Sequence, residues 1–170
     1  MLLVPTFAVR SNKPFLGRNK AMPLELKYLL YSTILCFVQV LVATAAAQQA
    51  VGLPVLAGNR ESLGELPGFA GRARRAHMNM IENMVLFASL VLIATTAGRA
   101  NAASAIGAMI FFWARLAYAV IYLVGIPWLR TFAWFVSVIG MIVVALQLLL
   151  RRLRVQEGRW NLSGIGSGIV

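Results

Sequence analysis

Four stretches of this chain, at Leu26 to Ala47, Ala76 to Ala97, Ala102 to Val124 and Phe132 to Leu150, are each long and apolar enough to cross a bilayer. A hydrocarbon core of about 30 Å takes about 20 helical residues, and inside it a helix satisfies its own backbone groups. Only Gly98-Arg99-Ala100-Asn101 separates the second stretch from the third, and only Gly125 to Arg130 separates the third from the fourth. Links that short force antiparallel neighbours, so the predicted fold is all-α: an integral membrane four-helix up-down bundle. Composition excludes an ordinary soluble domain, with 60% hydrophobic residues, 12% charged and a mean hydropathy of +0.78.

Charge narrows the partners. A net charge of +11 set beside apolar runs, without interleaved aromatic platforms, points to lipid headgroups and not to nucleic acid. Cys36 is the sole cysteine, so no intrachain disulfide is expected; His77, with no second ligand near it, is read as an interfacial packing residue, and no metal site is expected. Residues 1–21 are expected to be a disordered basic arm, or a mis-assigned start with Met22 as the true beginning. Residues 22–150 form the transmembrane domain, and residues 151–170 are read as a flexible basic tail. The link Gln48 to Arg75, with Pro54, Gly58, Gly64, Pro67 and Gly68, is read as a loop. Four spans put both ends of the domain on one membrane face, and the Lys and Arg count slightly favours that face as cytoplasmic.

Against this apolar background the polar residues at the start of the second span stand out. Arg72, Arg75, Asn79 and Glu82 are spaced by three, four and three, which lines them along one helical stripe; Met80, Met84 and Phe87 lie on another, toward lipid or a neighbour. Glu82 falls roughly 9 Å inside the hydrocarbon if that begins near Ala76. An isolated charge at such a position costs about 2.5 to 3.5 kcal/mol on insertion scales, so it needs a partner. The third span supplies Arg115, Tyr118 and Tyr122 on one stripe, with Arg115 at the depth of Glu82, and a Glu82–Arg115 pair is expected. Arg130 then lies at the membrane surface on the same side. Such groups can simply hold helices or subunits together. Yet several cations and two phenols around one carboxylate exceed what neutrality requires, as if awaiting an anionic ligand.

The run R-R-A-H-x-N-x-x-E-N at Arg74 to Asn83, then R-x-x-Y-x-x-x-Y at Arg115 to Tyr122, then Arg130, resembles the MAPEG family, the membrane-associated proteins in eicosanoid and glutathione metabolism, and its bacterial members in particular. The likeness spans roughly Met22 to Leu150. It implies a homotrimer of four-helix bundles in a bacterial inner membrane, with glutathione as cosubstrate bound between adjacent subunits. By position, Arg75, Asn79 and Glu82 would contact glutathione, Arg115, Tyr118 and Tyr122 would line the same site, and Arg130 would be the catalytic residue that stabilises the thiolate. Where eicosanoid-forming members carry an arginine at the end of helix one, this sequence has Gln48 and Gln49, with Arg60 a distant substitute. The implied activity is that of a glutathione transferase or peroxidase acting on lipophilic electrophiles or lipid hydroperoxides. The alternative is a non-catalytic lipid-binding or scaffold protein of the same fold. Because glutathione is chiefly cytoplasmic, the enzyme reading wants the Arg75 and Arg130 face inside, against the charge count.

Overall fold

A computed structural model of the chain describes residues 21–58 and 64–163, with 151–163 as backbone only. The elements are α1 (Leu24–Val51), α2 (Leu53–Ala57), α3 (Gly68–Thr96), α4 (Ala102–Val124) and α5 (Pro127–Ser163), and no strand occurs among the described residues. Four helices are long and apolar enough to span a membrane: α1, α3, α4 and the Pro127–Leu150 part of α5. The all-α architecture expected from the sequence is the one found. Arg60 and the residues at 1–20 and 164–170 lie outside the described residues.

Two helices begin earlier than the hydropathy indicates. α3 starts at Gly68, eight residues before the expected Ala76, so Gly68 to Arg75 is helix and not loop. Pro67 stands in extended conformation at its N-cap, and Ala70 and Ala73 then bury against Ala43, Ala46 and Ala47 of α1. Small-on-small packing, invisible to a hydropathy window crowded with arginines, carries these turns. α5 starts at Pro127, because proline's fixed φ and missing N–H suit a first helical position. Arg130 is thereby in the first turn of α5. Gly125, at φ 93°, makes the left-handed turn between α4 and α5, and its N–H donates to Ile121 O at 2.9 Å.

α4 packs most extensively on α5, and α1 on α3; α4 also meets α1 and α3, while α1 and α5 occupy opposite corners. The α4–α5 contact is close because both helices offer glycine where they cross. A Cβ on Gly107 would stand 2.7 Å from Gly140 O, and one on Gly140 2.8 Å from Phe111 N. Phe87 of α3 stacks on Phe111 of α4 with ring centroids 3.8 Å apart. Large apolar side chains such as Phe37, Val85, Leu86 and Leu149 point outward, while Ser32, Gln39, Asn83, Ser104, Arg115 and Ser137 are buried. Lipid outside and small or polar packing inside account for both facts.

The inward stripe of α3 is Ala73, Ala76, Met80, Asn83, Phe87, Val91 and Ala94, spaced by threes and fours. Met80 and Phe87 therefore pack on neighbouring helices and not on lipid. The Arg72, Arg75, Asn79 and Glu82 stripe runs along the edge of this core, roughly 100° around the axis from Met80, one residue's turn of an α-helix.

Candidate functional site

Arg115 is the largest fully buried side chain of the described residues. It projects from α4 into the bundle, where Nη1 donates to Asn79 Oδ1 at 2.9 Å and Nε to Met80 Sδ at 3.3 Å. Its Nη2 has no hydrogen-bond partner among the described residues. Its guanidinium carbon also lies 4.6 Å from the centroid of the Tyr118 ring. A guanidinium carries five donors, so this residue is anchored and still has hydrogen bonds to give.

From there a ladder of rings and cations climbs toward the α4–α5 turn. Tyr118 and Tyr122 sit one helical turn apart with ring centroids at 5.4 Å, and the Arg130 guanidinium lies 4.8 Å from the Tyr122 centroid. Both tyrosines are buried, in a cluster with Ala76 and Ala133, and Arg130 is half-buried at the top. Two cations over two phenol faces form a contiguous, positively charged run inside the bundle that no carboxylate among the described residues neutralises at ion-pair distance.

The expected Glu82–Arg115 pair is not formed. Asn79 and Met80 receive the guanidinium, because Met80 faces the core and Asn79 stands half-buried at its edge, while Glu82, three residues past Asn79, emerges at the exposed surface. Glu82 stays within electrostatic reach of Arg115 and Tyr118 and makes no ion pair among the described residues. Arg75 is also at the surface, 3.7 Å from Glu65, a solvent-facing pair of small energetic weight. Arg72 leaves the polar stripe altogether: its Nε donates to Leu123 O at 3.0 Å and its side chain packs beside Gly125, holding the C-terminal end of α4. The structure thus brings together Asn79, Arg115, Tyr118, Tyr122 and Arg130, with Glu82 at their exposed margin and Arg75 further toward the surface.

Sequence reasoning missed Met80 as an Arg115 partner, Arg72 as a helix-end ligand and Glu65 as the neighbour of Arg75. The first was within reach. Ala73, Ala76, Met80 and Phe87 already trace an inward stripe, and a residue on it beside Asn79 is placed to meet whatever Asn79 meets.

A family model, that of the MAPEG family, matches residues 28–150. The chain belongs to the MAPEG family. The match takes in all four spanning helices of this MAPEG protein, and with them each polar residue of the ladder. Comparison with curated proteins finds no match.

Proposed function

We propose that this MAPEG protein is a glutathione-dependent membrane transferase or peroxidase, with the thiol peptide bound along the edge of α3 where a second copy of the chain closes the site in a homotrimer. The observation that carries the reading is the ladder Arg115–Tyr118–Tyr122–Arg130, buried on one side and opening at its margin onto exposed Glu82 and Arg75. Glutathione has two carboxylates, an ammonium and a thiol. Arg75 suits a carboxylate, Asn79 the peptide backbone and Glu82 the ammonium, while Arg115, buried beneath them with no hydrogen-bond partner for Nη2 among the described residues, gives the site its positive charge. Tyr118 and Tyr122 supply the wall.

Arg130, at the membrane-surface end, is the group for the sulfur. Lowering a thiol pKa from about 8.5 to about 6.5 requires roughly 2.7 kcal/mol, within the reach of one cation in a partly desolvated site. The thiolate then attacks an electrophilic carbon; the S–C bond forms and the leaving group departs with its electron pair. In the peroxidase reaction the thiolate attacks the distal hydroperoxide oxygen, the O–O bond breaks, and the alkoxide takes up a proton; a second glutathione then displaces hydroxide from the sulfenic acid, giving the disulfide. Lipophilic partners have a lateral approach, an apolar groove of about 200 Å³ between α1, α3 and α4, lined by Leu116 and Ala119 beside Arg115 and Tyr118.

The test is turnover of 1-chloro-2,4-dinitrobenzene with glutathione by the detergent-purified chain, alongside Arg130→Ala. Conjugation that falls sharply in the variant supports the reading, and equal turnover removes Arg130 from the mechanism. One observation favours a scaffold instead: Arg115, central to the site, is also a structural tie between α3 and α4. A scaffold would show no conjugation and no glutathione binding.

A further inference from the structure

Arg72 is the residue of the α3 polar stripe that stands neither in the ladder nor at its exposed margin. Its Nε donates to Leu123 O at 3.0 Å. That carbonyl would ordinarily accept from the residue four positions on, but there stands Pro127, which has no N–H to give. A Cβ on Gly125 would stand 3.6 Å from Arg72 Cδ and 3.9 Å from its Cζ, so the arginine also covers the side of the turn that glycine leaves bare. The turn's other hydrogen bonds are internal: Gly125 and Ile126 N–H donate to Ile121 O, Arg130 N–H to Ile126 O, and Thr131 Oγ1 to Pro127 O. Among the described residues, Arg72 is thus the one side chain that ties this turn to another helix by a hydrogen bond.

Arg130 depends on the same turn at two points. Its guanidinium lies on the ring of Tyr122, the residue before Leu123, and its backbone enters the first turn of α5 just after Gly125 bends the chain. The ring and the bend that place Arg130 therefore flank the carbonyl that Arg72 holds.

We infer that Arg72 is a positioning residue: by pinning Leu123 O it fixes the α4–α5 turn, and with it the distance from the Arg130 guanidinium to the sulfur. This role rests on the glutathione reading above, in which Arg130 stabilises the thiolate. Coulomb attraction falls inversely with distance, so a guanidinium that backs away from about 4 Å to about 6 Å loses about a third of its hold. Of the roughly two pH units assigned to Arg130, about 0.7 would be lost.

Three substitutions separate position from charge. Arg72→Gln loses the charge but keeps an N–H donor as many bonds from Cα as Nε; Arg72→Lys keeps the charge, with its ammonium one bond further out; Arg72→Met has neither. The measurement is the pH profile of 1-chloro-2,4-dinitrobenzene conjugation by the detergent-purified chain, with thermal unfolding in parallel. Ultraviolet absorbance of the bound thiolate gives the same midpoint without turnover. The half-maximal pH should stay within about 0.2 of native in Arg72→Gln, rise by about 0.7 in Arg72→Met and fall between these in Arg72→Lys. Added to Arg130→Ala, Arg72→Met should shift it no further, because both changes act through one guanidinium.

A native midpoint in Arg72→Met at a lowered unfolding temperature would leave Arg72 a helix cap alone and overturn the assignment. Equal shifts in Gln and Met, a native value in Lys beside a shift in Gln, or a further shift on the Arg130→Ala background would make it an effect of charge and overturn it equally. Should Arg72→Met fail to fold, the order of Gln and Lys decides. Arg130→Ala without effect would sink the glutathione reading and this role with it, whereas an effective Arg130→Ala beside silent Arg72 variants sinks this role alone.

Discussion

The two ends of the bundle each hold a buried ionisable side chain, and they treat it in opposite ways. At the end shared by the start of α1 and the α3–α4 turn, Glu25 is 3% exposed and accepts a hydrogen bond from Ser104. Ser104 belongs to a capping box with Asn101, whose Nδ2 reaches Gln147 Oε1, and Arg99 donates to Leu148 O. A carboxylate beside the first turn of α4 is also favoured by the helix dipole. That end is closed. At the other end, among the described residues, Arg115 keeps an unpartnered Nη2 and Glu82 stands exposed without an ion pair, while Arg115 and Arg130 rest on phenol rings. Buried polar groups that are all satisfied hold a structure together, whereas a cluster with donors to spare is a place for a ligand.

If that contrast is right, variants at the two ends should separate activity from stability. The largest effect belongs to Arg130→Ala. Losing roughly 2.7 kcal/mol of thiolate stabilisation should cut conjugation at about pH 7 about 25-fold and move the half-maximal pH from about 6.5 to about 8.5. The unfolding midpoint in detergent should change little, since Arg130 is half-buried and its contact with the Tyr122 ring is worth about 0.5 to 1 kcal/mol. Next comes Asn79→Ala, which strips a hydrogen bond from a buried guanidinium; about 2 to 3 kcal/mol of stability and most glutathione binding should go together, read by thermal unfolding and calorimetry. Glu25→Ala sharpens the comparison from the closed end. It should cost about 1 to 2 kcal/mol by loss of the Ser104 contact and the dipole interaction, with conjugation rates untouched; a fall in turnover there would blur the distinction between the ends. Smallest is Arg75→Gln, whose exposed pair with Glu65 is worth at most about 1 kcal/mol in the same unfolding assay, although glutathione affinity should drop several-fold.

Much of this architecture was legible in the sequence, and the reasons are uneven. The spans and their antiparallel order followed from hydropathy and two short links, and α4 runs from Ala102 to Val124 as expected because Asn101 caps it and Gly125 ends it. The early starts of α3 and α5 were hidden, since alanine-on-alanine packing under an arginine-rich segment and a proline at a first helical position carry little hydropathy signal. At the site, spacing put Arg115, Tyr118 and Tyr122 on one stripe, and the structure joins them to Arg130. The Glu82–Arg115 pairing failed because periodicity gives a residue's face only to within a turn: the Arg115 guanidinium reached Asn79 and the inward Met80 and stopped short of a carboxylate some 60° further round the helix. Glu25 was counted as an acidic residue and not placed, for nothing in a linear reading brings position 25 next to position 104.

Calorimetric titration of glutathione into the detergent-purified chain, with Glu82→Gln in parallel, bears most directly on the claim that the open end is a thiol-peptide site. Saturable heat below millimolar glutathione is expected for the native chain, and affinity weakened by about tenfold in the variant at an unchanged unfolding temperature, as befits an exposed carboxylate that meets the ligand's ammonium. No heat through the millimolar range, or identical isotherms for the two proteins, would contradict it.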